Sequence, residues 1–154
     1  MYFWRIEKLK TSMATAPLTD REVLPYLIAT VILMAAVLGA VQHVPVTSVW
    51  DDISSIFGMV IAVIGTIYIY NRNNGEAGQH FLQRYIVIGW VVSLRWLVAF
   101  MVIFTILYII LEYYGATAEN IALAEFTFNT LASAVLYWRI GHHVHDLAQR
   151  TLTR

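Results

Sequence analysis

IVIGWVVSLRWLVAFMVIFTILYIIL, residues Ile86 to Leu111, decides how the rest of the chain is read. It carries a single charge, Arg95. A helix needs about 20 mainly apolar residues to cross roughly 30 Å of hydrocarbon at 1.5 Å per residue. This stretch exceeds that, so it predicts a crossing helix that tilts or extends past the interface. Working outward, three more stretches have the same character: Val23 to Val41, Ile53 to Tyr70, and Ile121 to Ile140. None alternates with the period of two of a barrel strand, and lipid cannot hydrogen-bond an exposed backbone, so each is read as a helix. The expected fold is an all-α integral membrane protein: one membrane domain, 1–154, built as a four-transmembrane-helix bundle with a tail over 141–154.

Composition agrees. Of the 154 residues, 59% are hydrophobic and 13% charged, against a soluble norm nearer half and a quarter. Zero net charge without a run of Lys and Arg argues against nucleic acid, whose phosphates need clustered cations. The absence of Cys removes disulfides, thiolate catalysis and Cys-ligated metals together. The first span also invites comparison with a removable signal peptide, Leu38-Gly39-Ala40 standing where a cleavage site would be. It is too long for such an apolar region, and three acidic groups precede it.

Basic residues set the expected orientation. Arg5, Lys8, Lys10 and Arg21 precede the first span, Arg72 and Arg84 lie between the second and third, and Arg139, Arg150 and Arg154 follow the fourth. The other two loops, Gln42 to Asp52 and Glu112 to Asn120, have none. The positive-inside rule therefore predicts both termini on the cytoplasmic side, in a multi-pass protein of a bacterial inner membrane. Trp4, Tyr26, Tyr70, Tyr85 and Trp138 would anchor the inner boundary, and Trp50, Tyr108, Tyr113 and Tyr114 the outer one.

Little lies outside the spans. From Tyr2 to Lys10, Phe3, Ile6 and Leu9 recur every third residue with Arg5, Lys8 and Lys10 turned away, which predicts a short amphipathic helix over about 2–10 in the inner interface. Thr19 and Glu22 have the spacing of a capping box, and Pro25 is expected to bend the first span. Asn73-Asn74-Gly75 marks a turn in the loop that follows the second.

Arg95, about ten residues into the third span, sits roughly 9 to 13 Å from the inner boundary. An Arg at that depth must either find partners within the bundle or snorkel to the headgroups. Glu125, Asn129 and Ser133 recur every four residues and share one face of the fourth span, with Thr127 and Thr130 off that line. The depths favour Arg95 with Asn129 or Ser133 over a direct pair with Glu125. Two readings follow: polar contacts that lock spans three and four together, or a hydrophilic route at mid-membrane. Ser54, Gly58, Ala62 and Thr66, with Gly65 beside them, form a small-residue face suited to helix packing or an oligomer interface, and Ala35, Ala36, Gly39 and Ala40 form a shorter one.

If the fourth helix continues past the membrane, His142, His145 and Asp146 fall on one face at a spacing that suits a divalent metal, although Arg139 shares it and would repel the ion. The same segment, with His80 nearby, is alternatively a pH-sensitive one. No span holds the facing His residues of a haem site, and no Ser has a His at its depth, so neither a cofactor nor an enzyme is expected. The resulting expectation is a small homo-oligomeric channel or transporter-like protein in the lipid bilayer. The alternative is a non-catalytic accessory or scaffold subunit for another membrane protein.

Overall fold

A computed structural model describes residues 5–41 and 49–152. Phe3 and Trp4, most of the loop that starts at Gln42, and Arg154 lie outside the described residues. Within them the chain is all-helical, with five α-helices and no strand: α1 (Ile6–Thr15), α2 (Asp20–Val41), α3 (Val49–Arg72), α4 (Phe81–Tyr113) and α5 (Ala118–Leu152). One 3-10 turn, Gly75–Ala77, separates α3 from α4. Two of the helices, α3 and α4, are long and apolar enough to cross a membrane.

Local chemistry explains the ends. Thr19 caps α2: the Glu22 carboxylate accepts from the Thr19 backbone N–H at 2.8 Å and from its hydroxyl at 2.9 Å. Half of the capping box is thus in place, with the hydroxyl turned to the carboxylate rather than to a backbone N–H. α2 continues through Pro25. The turn after α3 uses Asn74 and Gly75, both at positive φ. α4 stops where Gly115, at φ 67°, lets the Ala116 N–H reach back to the Leu111 carbonyl at 3.0 Å.

The pairing of residues gives the packing directions. Rising numbers match along α3 and α5: Phe57 with Phe126 at 5.3 Å, Gly65 with Tyr137, Tyr68 with Gly141, and the Arg72 carbonyl with His145 Nδ1 at 3.3 Å. These two helices run the same way. α4 runs against α5, since Phe100 meets Phe128 at 5.0 Å while Arg84 donates to Thr151 at 3.0 Å. α2 packs on α4, and α1 on α5 and α4.

Gly65 and Gly141 make the α3 and α5 contact close. A Cβ on Gly65 would overlap the Tyr137 side chain, and one on Gly141 the Tyr68 ring. Each helix therefore offers a glycine to the other's tyrosine, one turn apart. Gly58, within the expected small-residue face, meets nothing within 4 Å.

The core is concentrated at the end where the short tails lie. Leu9, Ile69, Val87, Ile88, Val91, Val144 and Leu147 are all but sealed there. Towards the opposite end α2, α3 and α4 leave large apolar side chains exposed, among them Ile32, Met59, Met101 and Ile109.

The N-terminal helix differs from the expectation. It covers Ile6–Thr15 in the structure, and its apolar side of Ile6, Leu9 and Met13 is buried in the core. Lys10, expected to turn away, is 2% exposed. The reason is a partner remote in sequence, Asp146 on α5.

Candidate functional site

Arg95 projects from α4, about one turn beyond the sealed residues Val91 and Val92. The register of Phe100 against Phe128 sets its backbone level with about Ser133 on the antiparallel α5. Its side chain, however, lines a cavity of about 210 Å³ with Arg139 and His143, one to three turns nearer the tail-bearing end. Val92, Trp96 and Ala99 supply the apolar wall, and Ile6 of α1 closes one side. Three nitrogen-bearing side chains thus line one cavity, with Arg95 and His143 half-buried and Arg139 exposed at its rim. Glu125, Asn129 and Ser133 are not among the walls of this cavity.

His143 is drawn from both directions. Burial chiefly, then Lys10, His142 and Arg139, push its pKa down to about 4, with Glu7 opposing. It is neutral near pH 7, and its Nδ1 is buried with no hydrogen-bond partner among the described residues. Two guanidinium forks beside a neutral imidazole suit an oxyanion or a carboxylate, which accepts bidentate hydrogen bonds from Arg.

The floor beneath the cavity is ionic. Lys10 donates to Asp146 Oδ2 at 2.6 Å and lies 2.5 Å from Glu7 Oε1. Arg150 reaches Asp146 at 2.9 Å and Glu7 at 3.0 Å. The four charges alternate in a ring that joins α1 to α5. The Lys10 ammonium, with Arg150 behind it, holds the carboxyls of Glu7 and Asp146 below the usual range. Nearby, burial lowers the Arg84 pKa. Arg84 donates to Asn73 Oδ1 at 2.8 Å and to Thr151, tying the start of α4 to the end of α3 and the end of α5.

The remaining expected residues are distributed as follows. Glu125, Asn129 and Ser133 are half-buried. At 100° per residue Asn129 falls between Phe126, which meets α3, and Phe128, which meets α4. Asp51, at the start of α3, is near enough for its charge to act on Glu125. Ser54, Ala62 and Thr66 are half-buried, and Gly58 is exposed. Thr66 lies 3.3 Å from the Tyr85 hydroxyl.

His142, His145 and Asp146 do sit on a continuing helix, but each has its own neighbours. His142 stacks on Trp138, His145 faces the Arg72 carbonyl, and Asp146 is engaged by Lys10 and Arg150. Among the described residues no group of three or more His, Cys, Asp or Glu side chains is placed to hold a metal ion.

Sequence reasoning missed the ring of Glu7, Lys10, Asp146 and Arg150. Its two halves, at i, i+3 and i, i+4, were legible as local pairs; their meeting across 136 residues was not. His143 was passed over because it falls off the face of His142 and His145.

Comparisons with protein-family models, with curated proteins and with solved structures gave no match for this chain.

Proposed function

We propose that the chain is a four-span protein of a bacterial inner membrane, with both termini cytoplasmic, that assembles with copies of itself and passes a small anion. The observation that carries the anion is the cavity where Arg95, Arg139 and His143 converge between α4 and α5. Two guanidinium groups on one cavity offer paired donors that the oxygens of an anion accept. Charged side chains at such depth mark substrate paths. Glu125, Asn129 and Ser133 would continue the route towards the far end of α5.

Support for the membrane setting comes from where apolar surface is exposed. Val31 and Ile32 on α2, Met59 and Ile64 on α3, and Val102 and Ile109 on α4 all stand more than half exposed in the isolated chain. Contiguous apolar surface of that extent belongs in lipid or against another protein. The split of basic residues between loops supports the orientation.

A second reading, an accessory subunit docked on another membrane protein, is favoured by the open face at Gly58. Both are separated by flux. Purified protein in liposomes is loaded with chloride, nitrate, phosphate or potassium, with wild type, Arg95→Ala and Arg95→Lys side by side. Anion flux that falls at least tenfold in Arg95→Ala and recovers in part in Arg95→Lys supports the transport reading. Folded, inserted protein that passes none of these ions refutes it and leaves the accessory reading.

A further inference from the structure

We propose that His143 is a proton site coupled to the anion: an anion entering the cavity between α4 and α5 draws a proton onto the His143 imidazole, and the two are held and released together. This rests on the anion reading of that cavity and names what accompanies the anion.

Charge faces His143 from three helices. Arg95 of α4 lines the same cavity, and Arg139 of α5 stands at its rim. His142, the next residue on α5, lies 5.9 Å away between ring centroids. Lys10 and Glu7 of α1 act on it from the tail side, with Asp146 and Arg150 joined to them in the ionic ring. Burial, Lys10, His142 and Arg139 together keep the ring neutral near pH 7, with Glu7 opposing. Its Nδ1 is sealed within the protein, so Nε2 is the nitrogen that exchanges a proton with the cavity.

A proton arriving alone adds a positive charge beside two guanidinium groups. An anion arriving alone brings a negative charge into a partly buried site, at the cost of its hydration. Arriving together they leave the net charge of the cavity as it was, and the imidazolium gives the anion a further charged donor. At about 210 Å³ the cavity keeps a small anion within roughly 4 to 6 Å of the ring, the range in which an opposite charge favours the charged form by about ten- to a thousandfold. A hundredfold preference, the middle of that range, moves half-protonation of His143 from about pH 4 to about pH 6. By linkage the anion then binds about tenfold more tightly at pH 5 than at pH 7. It takes up about 0.8 proton at pH 5 and about 0.1 at pH 7.

The test uses full-length protein in nanodiscs with nitrate and with chloride, neither of which titrates between pH 5 and 7. Binding is followed by titration calorimetry at both pH values, in two buffers of different ionisation enthalpy at each, so that proton uptake is read on wild type without any variant having to fold. Empty nanodiscs give the blank, and circular dichroism confirms the fold at each pH. Wild type is expected to show the tenfold gain and the uptake above. His143→Gln keeps a polar side chain that does not titrate, and is expected to bind with the same affinity at both pH values, within about twofold, and with under about 0.1 proton. His142→Gln alters an exposed imidazole outside the cavity walls and is expected to keep about three quarters or more of the wild-type uptake.

Anion bound by wild type with under about 0.2 proton taken up at pH 5 overturns the coupling and leaves the anion site standing. Uptake that survives in His143→Gln, or is lost in His142→Gln, puts the proton elsewhere and overturns the assignment to His143. Folded protein that binds neither anion at either pH overturns the anion reading of the cavity, and the coupling with it.

Discussion

Gly65→Ala tests the packing of the bundle most directly. The added Cβ would overlap Tyr137 at its ring and lie 2.9 Å from its Cβ. The ring can rotate, but the Cβ is fixed to the α5 backbone. Relief at that point needs the helices to part by about 0.7 Å to regain an ordinary contact of roughly 3.6 Å. Overpacking of this kind costs about 1 to 3 kcal/mol, from which about 1 kcal/mol is recovered because Ala favours helix over Gly. The net expectation is a loss of about 1 kcal/mol. Gly58→Ala keeps the helix gain and meets no clash, so it is expected to be neutral or stabilising.

The assay is reversible unfolding in mixed micelles, followed by helical circular dichroism, for wild type, both variants, Tyr137→Ala, and the Gly65→Ala/Tyr137→Ala pair. Removing the Tyr137 ring should abolish much of the cost of Gly65→Ala, giving a coupling of at least about 1 kcal/mol. Equal stability of Gly65→Ala and Gly58→Ala, with no coupling to Tyr137, would refute the interlocked pairing of α3 and α5. A loss of assembly in Gly58→Leu with the protomer still folded would mark the open face as the surface between copies.

Asp146→Asn leaves the buried Lys10 with Glu7 alone and should cost about 2 kcal/mol, less than a fully buried pair because Asp146 is 35% exposed; faster hydrogen exchange confined at first to α1 would show it. His143 supplies a pH signature. Its pKa of about 4 lies below the ordinary 6.5, so its contribution is full above pH 6.5 and lost as pH falls towards 4. His143→Phe should flatten stability by about 2 kcal/mol across that window, after allowance for screening by solvent. Glu7 and Asp146 act in the same direction but at lower pH, their lowered carboxyls being lost as pH falls through and below the usual carboxylate range. Arg84→Lys keeps the charge and loses the fork that spans Asn73 and Thr151, and a drop of about 1 to 2 kcal/mol in the same unfolding assay is expected.

The apolar runs announced the long helices, because burial in lipid or protein demands continuous hydrophobic sequence. Their polar extensions were hidden for the same reason. α4 starts at Phe81 rather than Ile86, and α5 runs on to Leu152, through segments whose residues are helical without being lipid-compatible. Arg95 was visible as the single charge in a long apolar run. Which side chains share its cavity was not, since the choice between Ser133 and the pair Arg139 and His143 turns on how a long side chain bends along the helix. The spacing of Ser54, Gly58, Ala62 and Thr66 identified a small-residue helix face but could not rank its glycines. Gly65, one residue off that line, is where α5 comes closest.

These placements have a mechanical consequence. The glycine and tyrosine exchange between α3 and α5, the Arg84 ties and the charge ring under α1 all lie at one end of the bundle, where the sealed core also lies. Towards the other end, exposed apolar faces replace interior contacts. Displacement of the helices therefore costs least at the open end and grows towards the tails. The cationic cavity sits at the border, walled by α4 and α5 above and by Ile6 of α1 below. Loosening α1 through Asp146 changes access from the tail side, while parting α3 from α5 through Gly65 acts on the far side of α5. If the cavity serves the anion route, Asp146→Asn should alter flux more than Gly65→Ala does at matched loss of stability, because α1 contributes a wall to it and α3 contributes none among the described residues.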